Sequence, residues 1–317
     1  MACPSRLRLG VTSTPESELF LIVNPRAGAG RGIHNITGHL RERGVPFTVA
    51  ATTGRGDAAG LARLACRAGV RAIVCVGGDG TLNEIVNGCM TADGDIFPDV
   101  VLGHIPSGTA QDFARSAGLP LTRYAAVDFL LAGNPAPTDV GRIRFSDGRS
   151  QFFINAMGAG FDAEVADRAA EVRGAITSVP AHLVGLASAL AAYRPGDIDV
   201  SLDRPGLPQR RLKATMVVVA NGPSYAGLLQ LAPNASLDDG LLDAVAFRHD
   251  LDHMDFFLSL PRVLTAGRIE HEKVETHPVA SVTLESEERC LVHADGEVVG
   301  RLPARVDVLP GALRVIR

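Results

Sequence analysis

The sequence predicts an α/β domain built on a parallel sheet, followed by an all-β domain of the antiparallel sandwich type. Three observations predict it. In the first half, short apolar runs alternate with segments of helical spacing, and glycine-bearing turns join them. From about Asp139 that alternation gives way to short strand-like runs separated by Gly and Pro. The change falls beside "LAGNPAPTD", a turn-rich stretch suited to a boundary. The expected organisation is a loose tail over 1–17, an α/β domain over 18–138 and a sandwich over 139–317. The last strand is a candidate to return to the first domain.

Taken in order, "LFLIV" (19–23) is too short for a helix and runs into turn residues, so it reads as a strand. "IHNITGHLRERG" carries apolar positions at helical spacing and stops at Gly44. "VPFTVAATT" is a second strand and "GDAAGLARLACRAG" a second helix. "RAIVCV" leads into "GGDGTLNEIVNGCM", and "VVLGHI" into "PSGTAQDFARSAG". In the second half, "RSQFFINAMG", "DIDVSL", "LKATMVVVANG", "LLDAVAF", "VASVTLES", "RCLVHADGE", "ARVDVLP" and "ALRVIR" read as strands. Helices are expected near 179–193 and 251–266.

Parallel sheets bind ligands outside the carboxyl ends of their strands. Three glycine turns fall at that edge: "NPRAGAGRG" (24–32), "GGDGT" (77–81) and "PSGT" (106–109). Each can aim backbone N–H groups at an anion, and each precedes a helix N-terminus with its partial positive charge. Three such turns on one edge suggest an extended phosphate site. Thr81 with Glu84 reads as a capping box, and Thr109 with Asp112 as a looser one. A dinucleotide fingerprint fits poorly, because the spacing is G-x-G-x-G and no acid follows the second strand.

Asp79, at the centre of "GGDGT", would repel phosphate unless a cation lay between them. Mg²⁺ takes oxygen ligands and keeps several waters, so one carboxylate can serve it directly or through water. The bland alternative is an Asp that satisfies turn amides.

Bulk composition narrows the classes. The 317 residues carry a net charge of −4, with 46% hydrophobic and 21% charged residues, as in an ordinary globular chain. That charge argues against a dedicated nucleic-acid binder. Lys213 and Lys273 are the only lysines. Arg suits bidentate phosphate recognition, although a biased genome composition accounts for the excess equally well. The five cysteines (Cys3, Cys66, Cys75, Cys89, Cys290) are scattered without a CxxC pair, which fits a reducing compartment. "MACPSRLRLGVTSTPESE" lacks the apolar core of a signal peptide, and Ile176–Tyr193 is too interrupted to span a bilayer. The expected location is cytoplasmic.

In order along the chain stand "NPRAG", "GGDGTLNEIVNG", "PSGTAQDFARSAGLP", "NAMGAGFDAEVA", "ANG", "APNASLDDGLLD", "HADGE" and "LPGAL". Together they resemble the diacylglycerol kinase catalytic family, which includes bacterial lipid kinases and the sphingosine and ceramide kinases. The resemblance runs from about Leu19 to Ile316. "GGDGT" alone is shared with NAD kinases and phosphofructokinases, while "DDGLLD" and "DGE" point to the lipid-kinase branch.

The resemblance implies an ATP- and Mg²⁺-dependent kinase whose α/β domain binds nucleotide. Asn24, Pro25, Arg26, Ala27, Gly28, Thr52, Gly77, Gly78, Asp79, Gly80, Thr81, Leu82, Asn83 and Thr109 would contact ATP. Asp239, with backbone oxygens of Ser236 and Leu241, would hold a Mg²⁺, although "DDG" is also an ordinary turn. A lipid hydroxyl attacking the γ-phosphate must lose its proton to a base. The family match points to Glu297, with Asp295 in the same turn; Asp79 is a competing base. "HADGE" also fits a plain hairpin turn.

Gln111 stands where relatives commonly have Asn, and "YAGLLQLAP" (225–233) lacks a glycine cluster that many of them carry. The second departure bears on substrate identity. The histidines show no metal-ligand spacing and carry no catalytic assignment; His293, two residues before Asp295, is placed to adjust that turn.

A kinase acting on lipid must reach a membrane surface. "LDHMDFFLSLPRVLTAGR" and Ile176–Leu190 are candidate interfacial elements, against the plainer reading of core packing. An exposed edge strand in the sandwich would suit a homodimer, without the sequence identifying it. The competing functions are kinase of a soluble alcohol such as NAD, and a nucleotide- or lipid-binding regulator without catalysis. Retention of Asp79, Asp239 and Glu297 together argues against the regulator.

Overall fold

The computed structural model describes residues 18–27, 32–91, 97, 100–172, 196–227, 229–251, 269 and 271–317. The chain divides into two compact units. One comprises the chain up to Asp139 together with Gly311–Arg317; the other is Val140–Pro310. The expected N-terminal tail, Gly28, the expected helices near 179–193 and 251–266, and both candidate interfacial segments lie outside the described residues, apart from Leu251.

The first unit alternates β1 (Leu19–Val23), α1 (Ile33–Glu42), β2 (Phe47–Ala51), α2 (Asp57–Arg67), β3 (Ala72–Gly77), α3 (Asp79–Cys89) and β4 (Val101–Pro106), then adds α4 (Asp112–Ser116) and α5 (Arg123–Ala132). The four strands are parallel in the order β2-β1-β3-β4, with Leu21 opposite Val49 on one side and Val74 on the other. Arg314 and Val315, from the end of the chain, pair in parallel with Val101 and Leu102. Strand periodicity sends Leu19, Leu21 and Val23 to one face. There they join Ile36 and Leu40 of α1 and Val127 and Leu130 of α5 in one buried cluster.

On α3, Gly88 lies so close to α2 that a Cβ there would overlap the carbonyl of Ala59. A parallel sheet covered by helices must be apolar on both faces, and the uninterrupted "AIVCV" of β3 meets that need. The helix α5 was not anticipated. Its signal is present in "TRYAAVDFLLAG", where Ala126, Val127, Leu130 and Leu131 are buried at helical spacing.

The second unit takes up the chain within β5 (Pro135–Phe145) and continues with β6 (Ser150–Phe153), β7 (Ala156–Gly160), α6 (Phe161–Val172), β8 (Ile198–Asp203), β9 (Arg210–Ala220), β10 (Ser224–Tyr225), β11 (Leu229–Gln230), β12 (Leu242–Arg248), β13 (Val274–Val279), β14 (Ser281–Glu285), β15 (Leu291–Ala294), β16 (Glu297–Arg301) and β17 (Ala304–Ile316). Antiparallel pairing runs β16-β15-β7-β9-β8-β14-β17. One edge of β9 pairs with β12; β8 and β7 share the other edge end to end. β9 is buried on both faces in its second half. Val217 and Val219 join one core, while Val218 and Ala220 join another with Val245 and Phe247. That is why "MVVVA" is a continuous apolar run.

Three further elements depart from the expectation. The boundary stretch "NPAPTD" is itself strand, because Pro135 opens β5, and the division between the units falls within it. "FDAEVADRAAEV" forms α6, a helix among the strands. "ARVDVLP" and "ALRVIR" are one strand, β17. Among the described residues, no helix is long and apolar enough to cross a membrane.

Candidate active site

In the first unit the turns after all four parallel strands lie at the carboxyl edge of the sheet. Each is stitched to its neighbour by the backbone: Asn24 N–H donates to Val76 O (3.0 Å), Thr52 N–H to Val23 O (2.8 Å) and Ser107 N–H to Gly77 O (2.9 Å). The Asn24 side-chain amide donates to Thr81 Oγ1 (3.0 Å), and its Oδ1 accepts the Arg26 amide (3.0 Å). One asparagine thereby joins the "NPRA" turn to α3. Gly78 and Gly108 come together at backbone distance; a Cβ on Gly108 would lie 2.7 Å from Gly78 Cα. Only residues without side chains permit that approach.

α3 begins at Asp79 after an extended Gly78, and no side chain caps it. The expected capping box is therefore incorrect: the helix starts two residues before Thr81. Thr81 turns instead to Asn24, and Glu84 reaches to another helix, accepting the amides of Gly56 (2.8 Å) and Ala58 (3.0 Å) at the start of α2. There a carboxylate meets unsatisfied donors and the positive end of the dipole. The looser box fails likewise, since α4 is preceded by Gln111 in the left-handed region (φ 57°), without a side-chain cap. Left-handed backbone is taken more readily by Asn than by Gln.

Asp79 Oδ1 accepts the amide of Phe113 (3.1 Å), fixing α4 against the loop. Beneath it His104 is buried and contacts Gly77 O through Nε2 (3.2 Å). Burial lowers its pKa, against the opposing pull of the Asp79 charge and the Gly77 carbonyl. Burial, with the Asp79 charge second, raises the thiol of Cys75. Pro25 and Arg26 are exposed, as is Thr109, and Gly80 is the second residue of α3; Leu82 and Asn83 are buried, so the Leu82 side chain belongs to the core.

Missed from sequence was a cleft of about 370 Å³ lined by Pro106, Ser107, Gly108, Gln111, Leu121, Thr122 and Arg123. Its guanidinium packs so closely on Gly32, at the start of α1, that a Cβ there would lie 2.5 Å from it. "LTRYAAV" carries no motif to signal this.

In the second unit three separated motifs converge. Asp295 accepts the amides of Ile154 (2.9 Å), Asn155 (3.0 Å) and Ala156 (2.9 Å) on its two oxygens. Asn155 Nδ2 donates to Ser224 O (2.8 Å), and Asn221 Nδ2 to Ile154 O (2.8 Å). Thus side-chain-to-backbone hydrogen bonds tie "INA", "ANGPS" and "ADGE" into one knot. Asp295 (φ 46°) and Gly296 (φ 82°) both take positive φ at the tip of the β15–β16 hairpin, with Ala294 paired to Glu297. Positive φ at both central residues is the requirement of a type I′ turn, and Asp-Gly meets it. The hairpin and functional readings of "DGE" are compatible: Asp295 is the anchor, and Glu297 is presented at the first position of β16.

Beside that turn His293, Asp162 and Tyr225 form a cluster. His293 Nε2 is 3.1 Å from Asp162 Oδ2 and 3.0 Å from Tyr225 Oη, and the Tyr225 hydroxyl donates to Asp162 Oδ2 (2.9 Å). Elsewhere in this unit, Asp239 sits in the turn before β12 and accepts the Leu241 amide (3.0 Å); Ser236 donates to Asp238 (2.8 Å). Burial, and then the charge of Asp239, push Asp243 up to about 6. Among the described residues, no cluster of three or more His, Cys, Asp or Glu side chains is arranged to hold a metal. Any cation here would rely on backbone oxygens.

Residues 18–143 match the family model of the diacylglycerol kinase catalytic domain, and residues 155–317 that of the YegS C-terminal NAD kinase beta sandwich-like domain. A "Probable lipid kinase YegS-like" of Chromohalobacter salexigens is 32% identical over 94% of this chain and 92% of its own. A "Diacylglycerol kinase" of Mycobacterium tuberculosis is 31% identical over 93% of this chain and 94% of its own. A crystal structure of a candidate diacylglycerol kinase from Bacillus anthracis str. Sterne superposes with a TM-score of 0.75 at 26% identity, covering 96% of this chain and 98% of that one. A parallel α/β domain with an antiparallel sandwich-like domain is thus the architecture of a kinase class. Within it, the chain belongs to the diacylglycerol kinase family of lipid kinases.

Proposed function

We propose that this chain is an ATP- and Mg²⁺-dependent kinase that transfers the γ-phosphate to a lipid hydroxyl, with diacylglycerol or a related amphiphile as acceptor at a membrane surface. The reading rests chiefly on the close approach of Gly78 and Gly108, which draws the "GGDGT" and "PSGT" turns into one surface of backbone amides. Such surfaces suit phosphate oxygens. Asn24 to Ala27, Thr52, Gly77 to Thr81 and Thr109 surround the same edge and would hold the nucleotide.

Glu297 would act as general base. Its carboxylate takes the proton of the acceptor hydroxyl as that oxygen bonds to the γ-phosphorus and the bond to ADP breaks. Asp295 accepts three amides and would set the turn rather than accept the proton. Asp79 engages Phe113 through one oxygen, and its carboxylate would serve the cation network.

The residue types near Asp239 suit Mg²⁺, which takes oxygen ligands: its carboxylate is exposed, and the backbone carbonyls of Ser236 and Leu241 would complete the set. A Mg²⁺ held there would shape the site, and one served by Asp79 would supply charge neutralisation during transfer.

The second reading, phosphorylation of a soluble alcohol, is favoured by the NAD kinase-like description of the C-terminal family model. The names of the full-length relatives favour lipid. Transfer of radiolabelled γ-phosphate to a panel of lipids in mixed micelles, with NAD in parallel, separates the two. Label in a lipid, lost without Mg²⁺, is the expected result; label in NAD alone would move the chain to the soluble branch.

A further inference from the structure

We propose that His293 is a positioning residue for Glu297, and that Asp162 and Tyr225 set its ring for that task. The inference rests on the reading of Glu297 as the base.

His293 is the third residue of β15 and is 3% exposed. Its Nδ1 accepts the N–H of Gly296 at 3.3 Å. An imidazole nitrogen accepts only when it carries no proton, so the proton of the neutral ring sits on Nε2. That nitrogen faces Asp162 Oδ2 and the Tyr225 hydroxyl. A carboxylate accepting from both donors fixes tautomer and ring orientation together, as an outer carboxylate does for a metal-bound or catalytic imidazole.

The cluster has its own space. A Cβ at Gly158 would overlap Asp162 Oδ2 and lie 2.5 Å from His293 Nε2. Glycine at 158 is therefore a condition for the pair to exist.

The consequence falls on the turn. Asp295 and Gly296 both sit at positive φ, and Asp295 does so without glycine's freedom. Two holds keep the tip in place: the Asp295 carboxylate on the amides of Ile154, Asn155 and Ala156, and the Gly296 amide on His293. Glu297 is the next residue, so the second hold is one peptide from the proposed base. Orientation errors near 1 Å cost about 100-fold in rate. Loss of the His293 bond should therefore lower kcat and leave the KM for ATP unchanged.

Isosteric variants test this with the acceptor identified by the transfer assay. In His293→Asn the side-chain carbonyl can occupy the Nδ1 position and still accept from Gly296. In His293→Gln the amide reaches the Nε2 position and abandons Gly296. The expected result is an Asn variant within about fivefold of wild type, and a Gln variant with kcat reduced by about 10–100-fold. Placed in a Glu297→Gln background, His293→Gln should cost nothing further, because the residue it positions is already disabled.

Equal losses in the Asn and Gln variants, an active Gln variant, or a further loss in the double variant would each overturn the proposal. Should His293→Gln fail to fold, Tyr225→Phe carries the test: a loss of about threefold or more in kcat alone is expected from a loosened ring, and an unchanged kcat would overturn it. Full activity in Glu297→Gln sinks the base assignment itself. Loss there without loss in the His293 and Tyr225 variants sinks only the positioning.

Discussion

Gly78 and Gly108 lie 30 positions apart in a loop-to-loop contact so close that a Cβ on Gly78 would stand 3.1 Å from Gly108 Cα. The contact turns two glycine motifs into one amide-lined edge. Gly108→Ala should force the loops apart, at a cost of about 1–3 kcal/mol typical of overpacking. ATP affinity should fall with it, read by calorimetric titration on the folded fraction. An alanine variant that binds ATP as wild type does would remove this contact from the nucleotide site.

Glu84 is a tertiary cap rather than a local one, receiving the amides of Gly56 and Ala58. Glu84→Ala leaves two donors at the start of α2 without their acceptor. Denaturant unfolding should register a loss of about 1–3 kcal/mol. Thr81→Ser, by contrast, retains the hydroxyl bonded to Asn24 and should unfold close to wild type.

His104 supplies a pH dependence whose sign follows from burial. Its pKa is lowered in the fold, so below the unfolded value of about 6.5 the unfolded chain binds a proton that the folded chain refuses. The stability contribution is full above that pH and is lost as pH falls. Each pH unit down to the folded pKa costs up to about 1.4 kcal/mol. Comparing unfolding free energies of wild type and His104→Gln from pH 7 to 5 should show a shallower slope in the variant; equal slopes would contradict the assignment.

Asp295 and Glu297 should separate cleanly. Asp295→Ala abandons three amides and should destabilise the second unit by about 2 kcal/mol or more. Glu297→Gln, on an intermediate-exposure residue at the start of β16, should leave the melting temperature within a few degrees of wild type. A stable Asp295→Ala protein would show the amides finding other acceptors.

The parts of the fold legible in sequence were those whose signals are local. Strand, glycine and helix follow one another within a few residues from Leu19 to Pro106, and the phosphate-type turns sit where that alternation places them. Thr81 and Glu84 matched a local pattern, yet extended backbone at Gly78 starts the helix earlier and frees both side chains for tertiary partners. β5 was hidden by Pro135 and Pro137, which read as a turn-rich boundary. α6 was hidden by its charges. At the site, the motifs were visible singly, but the Asp295 clamp on residues 154–156 and the Asp162–Tyr225–His293 cluster join positions more than sixty residues apart. No spacing rule reaches that far.

The most direct measurement is single-turnover phosphoryl transfer by wild type, Glu297→Gln and Asp79→Asn, using the acceptor identified in mixed micelles and saturating Mg²⁺–ATP. Removing a general base costs about 10²–10⁴-fold. The account predicts a loss of that size in Glu297→Gln with ATP binding intact. A Glu297→Gln enzyme that turns over at the wild-type rate, beside an inactive Asp79→Asn, would contradict it and make Asp79 the base.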